Sequence, residues 1–170
     1  LDQRSERPAI IVQVVTGPSG FVGAAEQAIV EYIRSTFADR PKPDLIMAIA
    51  GPAAVFARKY RHQLFPDTPL LFACVDQRFL SDAPLGENET AVAVSNDFPG
   101  VVDDILRLLP PTRQVFVVTG AGPLGQFWRR QLEGEFQRFH ERLTFSWSTD
   151  LSRPELLRRC ASLPPDSAIL

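Results

Sequence analysis

Short, strongly apolar runs alternate along this chain with longer stretches in which apolar residues recur every three or four positions. The runs fall at residues 9–15, 45–50, 70–75, 91–94, 115–118 and 143–147. Most are apolar at successive rather than alternate positions, which predicts strands covered on both faces, as in a parallel sheet. Between them, Ala53, Phe56, Ala57, Tyr60 and Leu64 fall on one helical stripe. Leu124, Phe127, Trp128, Leu132, Phe136 and Phe139 form another, with Arg129, Arg130, Glu133 and Glu135 opposite, and the position of Trp128 predicts a core residue. A third stripe, Val101, Val102, Ile105, Leu108 and Leu109, is opened by Asn96-Asp97-Phe98-Pro99, where a capping residue precedes a proline that the first turn tolerates. Strand and helix in alternation predict an α/β fold.

Punctuation divides the chain further. Residues 65–69 (FPDTP) and 109–112 (LPPT) each end a helix just before a strand, since proline cannot continue a helix. The least regular stretch, 81–89 (SDAPLGENE), precedes a short strand and then Ser95-Asn96-Asp97, which places a hinge near residues 95–98. The expectation is two lobes of parallel sheet flanked by helices, residues 1–95 and 96–170. Related segments support two lobes: 48–60 (AIAGPAAVFARKY) and 117–130 (VVTGAGPLGQFWRR) both run from a strand through glycine and proline into an aromatic-bearing helix, and 14–27 (VVTGPSGFVGAAEQ) is a variant. Such ends bring backbone close to a ligand and present free N–H groups at a helix start.

Composition narrows the chemistry. At 170 residues, 45% hydrophobic and 22% charged, the chain can bury a core without staples, and no apolar run approaches the ~20 residues of a membrane-crossing helix. A net charge of −2 with both signs interspersed gives no basic footprint for nucleic acid. Cys74 in an apolar strand and Cys160 in a late helix have neither disulfide-framework nor metal-ligand spacing, so both are expected as buried small hydrophobes. The start at Leu1 and the strand-like end at Ser167-Ala168-Ile169-Leu170 read as an excised piece of a longer protein, incomplete at both ends.

One motif invites a nucleotide. Gly120-Ala121-Gly122-Pro123-Leu124-Gly125 spells G-x-G-x-x-G after a strand and before a helix, with Asp150 placed for a ribose hydroxyl. Against a dinucleotide, Pro123 removes one N–H that a pyrophosphate would use, and four strands precede a fingerprint that usually opens its domain. His62 and His140 sit in charged surroundings without nucleophile partners, so no catalytic residue, metal site or cofactor is expected. Asp76, at a strand end where open α/β sheets bind ligands, has two readings side by side: acceptor of a ligand ammonium or hydroxyl, or cap of the turn that follows. Trp147, followed by Ser148-Thr149-Asp150, is either a core residue or an aromatic wall for a ligand.

Residues 44–76 (DLIMAIAGPAAVFARKYRHQLFPDTPLLFACVD), 90–128 (TAVAVSNDFPGVVDDILRLLPPTRQVFVVTGAGPLGQFW) and 151–170 (LSRPELLRRCASLPPDSAIL) together resemble the ABC-transporter substrate-binding-like domains of extracytoplasmic sensor regions in bacterial sensor histidine kinases. These are similar to periplasmic binding proteins for aromatic amino acids and other small solutes. The resemblance implies a non-enzymatic solute-binding domain, periplasmic, attached to a membrane-anchored signalling module, with a homodimer as a further expectation. Its ligand would be a small solute such as an amino acid or carboxylate, held between the lobes. The matching strand-end residues are Gly51, Pro52, Ala53, Asp76, Gln77, Thr119, Gly120, Ala121 and Gly122, to which the aromatic-wall reading adds Trp147. Two other readings stay open: a free receptor of an ABC importer, and a nucleotide-dependent Rossmann-like enzyme using the 120–125 motif.

Overall fold

In the computed structural model, which describes residues 23–81 and 84–170, strands pair only in parallel and form two separate three-stranded sheets. The first has order β1 (Ile46–Ile49), β2 (Leu70–Asp76), β3 (Glu89–Val94). In the second, β4 (Gln114–Val117) lies between β5 (Thr144–Trp147) and β6 (Ser167–Ile169). The helices are α1 (Gly23–Thr36), α2 (Ala50–Leu64), α3 (Phe98–Leu108), α4 (Pro123–Glu135) and α5 (Arg153–Ala161), with one-turn 3₁₀ segments at Gln77–Phe79 and Gln137–Phe139. The chain is thus α/β, with two helix-flanked parallel sheets. The strand expected at 9–15, and most of the 14–27 variant, lie outside the described residues.

The stripe on α2 serves two partners. Its alanines, Ala53, Ala54 and Ala57, let the helix lie close to the sheet core of Ala48, Leu70, Phe72 and Val75. Phe56, Tyr60 and Leu64 pack instead against Ile29, Val30 and Ile33 of α1. Buried Glu26 of α1 accepts a 2.7 Å bond from the Tyr60 hydroxyl and one from Lys59, which offsets the cost of burying its charge. The second core gathers Val102, Val115, Val117, Leu132, Phe136, Phe139 and Leu143. Helix starts follow their sequence signals: Asp97 Oδ1 accepts from the Gly100 N–H at 2.9 Å, and Ser152 with Glu155 forms a capping box.

Four expectations are corrected. The all-apolar strands of the first sheet are not covered on both faces: Met47, Ile49 and Val92 are 52%, 59% and 65% exposed. Among the described residues α2 covers one face and α1 stacks on α2, so the other face stays open. On α3 the buried line runs Phe98, Val102, Leu106, an i, i+4 row rotated from the expected stripe, which leaves Val101, Leu108 and Leu109 exposed. Trp128 lies outside the second core and faces the first unit, as described below. Cys74 is exposed, not buried: the pairing of β2 with β3 skips from Ala73 to Val75, and the bulged Cys74 takes φ 53°, which turns it out of the ladder. Cys160 is half-buried.

Candidate functional site

The carboxyl ends of β1 and β2 carry the backbone strain of the first unit. Ala50, where β1 hands over to α2, has φ 67°, a left-handed conformation that costs a residue with a Cβ about 1 kcal/mol or more. The turn places Gly51 beneath the ring of Phe79 from the end of β2; a Cβ on Gly51 would meet that ring at 2.5 Å. Gly51 is needed here for close approach.

Asp76 ends β2 and begins the 3₁₀ turn, and its capping reading is realised: Oδ1 accepts from the Arg78 N–H at 3.0 Å. The same carboxylate accepts from Arg78 Nη1 at 3.0 and 2.9 Å and from Asn96 Nδ2 at 2.8 Å. Arg78 then reaches into the second unit, where Nε and Nη2 donate to the Glu135 carboxylate of α4 at 2.8 and 3.0 Å, while Nη2 also donates to the Asn96 carbonyl at 3.0 Å. All three guanidinium nitrogens are engaged, and the group lies 5.6 Å from the Phe98 ring centroid and 5.8 Å from that of Trp128.

Burial pushes the Asp76 carboxyl up, but the Arg78 amide, the Asn96 side chain and the Arg78 guanidinium outweigh it and hold the group below its ordinary value. A lowered folded pKa adds stability above the unfolded value of about 3.9, and that stability is lost as pH falls through the folded pKa. Acid melting should therefore steepen below about pH 4 and be shallower in Asp76→Asn. The comparison is a series of thermal melts of both proteins from pH 2 to 6, and parallel acid limbs would exclude this role.

Next to this ion cluster Phe79 stacks on Phe127 of α4 with centroids 4.2 Å apart, and meets Trp128 edge-on at 5.6 Å. Trp128 also meets Phe98 and Phe127, so Phe79, Phe98, Phe127 and Trp128 form one aromatic cluster joining the two units.

On the second sheet the loop after β4 is pinned from below. The Thr119 N–H donates to Ser148 Oγ at 2.8 Å, and the Ser148 hydroxyl donates back to the Thr119 carbonyl at 2.7 Å. Thr119 Oγ1 is itself buried without a hydrogen-bond partner. Gly120 and Ala121 are exposed and Gly122 is the N-cap of α4, with Pro123 in the first helical position. The Gly120 peptide rests directly on Gly125, where a Cβ would collide with its carbonyl oxygen. Gly125 is therefore accounted for by strand-to-helix packing, whereas a Cβ at Gly120 would meet nothing within 4 Å. Asp150, the acid of the nucleotide reading, is exposed and lies 3.6 Å from Arg129 Nη1.

Of the residues singled out from sequence, Gly51 lies under the Phe79 ring, Pro52 and Ala53 follow in the first turn of α2, Asp76 ends β2 in the ion cluster, and Gln77 after it is exposed. Thr119, Gly120, Ala121 and Gly122 lie at the corresponding end of the second sheet. Trp147 packs on the second core, stacked 6.4 Å from Phe136, with the Arg129 guanidinium 5.9 Å from its centroid. Sequence reasoning missed Arg78, Phe79 and Glu135, which make the bridge. The one signal was the pair Arg78-Phe79 just after a capping Asp76, a charge and a ring in a turn too short to bury either within its own unit.

No protein-family model matches the chain, and no curated protein matches it. The solved structures include one similar chain, the ligand-free, open structure of CD0873, described as a substrate binding protein with adhesive properties from Clostridium difficile. The match has a TM-score of 0.49 and 15% identity over 86% of this chain and 49% of that one. This chain thus spans about half the length of that protein.

Proposed function

We propose that this chain is a solute-binding domain that holds a small organic molecule, an amino acid or another carboxylate, between its two parallel-sheet units. The observation that carries this reading is the seating of Phe79 on Gly51 and against Phe127: it brings the carboxyl ends of the first sheet, where open α/β folds take their ligands, against the first turns of α4. The ring fills space that a solute would take by displacing it. Phe79 lies between Gly51 near the start of α2 and Phe127 in the first part of α4, and the N–H groups at helix starts favour a carboxylate; the unpartnered Thr119 hydroxyl and the exposed 120–121 backbone, at the carboxyl end of the second sheet, would be the second unit's contribution. Domain residues 1–95 and 96–170 would be the lobes, and Trp147 would serve the site from below through Arg129.

In the sensor reading the domain lies in the periplasm, and the change in lobe orientation on binding is passed to an attached histidine kinase module; the resemblance of the three segments quoted above supports this. The importer-receptor reading uses the same cleft, and the parent gene separates the two, since a sensor encodes membrane-spanning and kinase segments. The Rossmann reading is weakened by the fit of Gly120 onto Gly125. Thermal-shift screening of the chain decides between solute binding and the nucleotide reading, because a ligand stabilises by RT ln(1 + [L]/Kd), about 2.7 kcal/mol at a hundredfold excess over Kd. Amino acids or carboxylates should raise Tm in a dose-dependent way. A rise with NAD(H) or NADP(H) and none with solutes would overturn the proposal.

A further inference from the structure

We infer that the Arg78 guanidinium is a lock that holds the two units in the present orientation, gripping Asp76 of the first unit, the Asn96 carbonyl of the crossover and Glu135 of the second at once. The proposal deepens the solute-binding reading, and rests on it for the purpose of opening, but the lock itself is tested without a solute. Three features carry it. First, the cross-unit contact is bidentate: Nε to Oε1 at 2.8 Å and Nη2 to Oε2 at 3.0 Å, the geometry in which a guanidinium fixes direction as well as distance. Second, the group is prepared for that contact. Asp76, nearly buried, fixes Nη1, and Asn96 Nδ2 fixes Asp76 in turn, so little rotamer freedom is left to lose when Glu135 docks. Third, the lock is sheltered: the Arg78 side chain is 19% exposed and that of Glu135 28%, with Phe98 and Trp128 against the guanidinium, so water competes less than at a surface pair.

The place of the contact matters as much as its strength. Asn96 lies between the end of β3 and the start of α3, in the crossover from one sheet to the other, so Arg78 binds the crossover and both bodies it connects. Phe79, one residue on, makes the apolar half of the same contact by stacking on Phe127. A rotation of the units that withdraws Phe79 from Phe127 also draws Arg78 from Glu135. Entry of a solute at Gly51 and release of the lock are one movement. The remaining Arg78 to Asp76 pair stays within the first unit and keeps the cation neutralised when the units part.

Distances between spin labels at Val55→Cys on α2 and Ala161→Cys on α5, in a Cys74→Ser, Cys160→Ser background, read the orientation directly. Without added solute, the parent should give one dominant distance. Glu135→Ala should add a second, with the ratio of displaced to parent orientation rising about tenfold, and Arg78→Met should do the same or more. Glu133→Ala, which removes only the pair to Arg129 within α4, should leave the distribution as in the parent. If Arg78→Met fails to fold by circular dichroism, Glu135→Ala decides, since it leaves Asp76 neutralised. Unchanged distances in folded Glu135→Ala overturn the lock whatever the solute screen returns. Conversely, a failed solute screen together with a second distance in Glu135→Ala upholds the lock and rejects the solute.

Discussion

Gly125→Ala should destabilise the chain by about 2–4 kcal/mol, whereas Gly134→Ala, nine residues further along the same helix, should stabilise it by about 0.5 kcal/mol. By helix propensity alone both substitutions are favourable, since alanine loses less backbone entropy than glycine. Their surroundings differ. A Cβ at Gly134 meets nothing within 4 Å, while at Gly125 it falls on the backbone of Gly120. That backbone has little room to yield, because Thr119 beside it is held in both directions by Ser148, which is itself tied to Val117. The collision must therefore lift the 120–122 turn off α4 or tilt the helix. Denaturant melts of the two variants give the sign directly, and equal, stabilising shifts would disprove the packing of Gly120 on Gly125.

Phe136→Ala should cost about 3–5 kcal/mol, and its damage should be felt at Trp147. Phe136 has no exposed surface, stacks on Phe145 at 4.9 Å and on Trp147 at 6.4 Å, and belongs to the core under β4 and β5. Removing it leaves a ring-sized void beneath two aromatic neighbours, and β5, which Ser148 follows, loses its support. The Trp147 contribution to the near-ultraviolet circular dichroism, isolated in a Trp128→Phe background, should collapse towards the flat spectrum of a mobile ring, while Phe136→Leu should retain most of it at a cost of about 1 kcal/mol. A native-like spectrum in Phe136→Ala would show that Trp147 is held by something else.

What could be read from the sequence follows from the range of the forces involved. The alternation of apolar runs and helical stripes is a local pattern, and it gave the α/β class, the parallel strands and the helix start at Asp97. The faces left open in the first sheet and on α3 were not legible, because an apolar side chain looks the same whether or not a partner covers it. Phe98, Val102 and Leu106 form a buried row only once β4 and β5 stand beneath them. At the junction, the close approach at Gly51 and the cap at Asp76 were legible because glycine and a capping carboxylate have local signatures at strand ends. Arg78 and Glu135, far apart in the chain, were not, since an arginine in a charged sequence gives no sign of which carboxylate it will reach. Cys74 was misjudged because a bulge is a defect of pairing and leaves no mark in the hydrophobic pattern of its own strand.

The arrangement of strands also sets an order on biosynthesis. Every neighbour in the first sheet exists once Val94 has been added, so that unit can close its ladder while the rest of the chain is still on the ribosome. The second is different: its middle strand, complete at Val117, receives the last of its two flanking partners only when Ser167 to Ile169 have emerged. Until then, one whole edge of β4 is an unpaired backbone, and the nascent protein carries a finished half beside an open one.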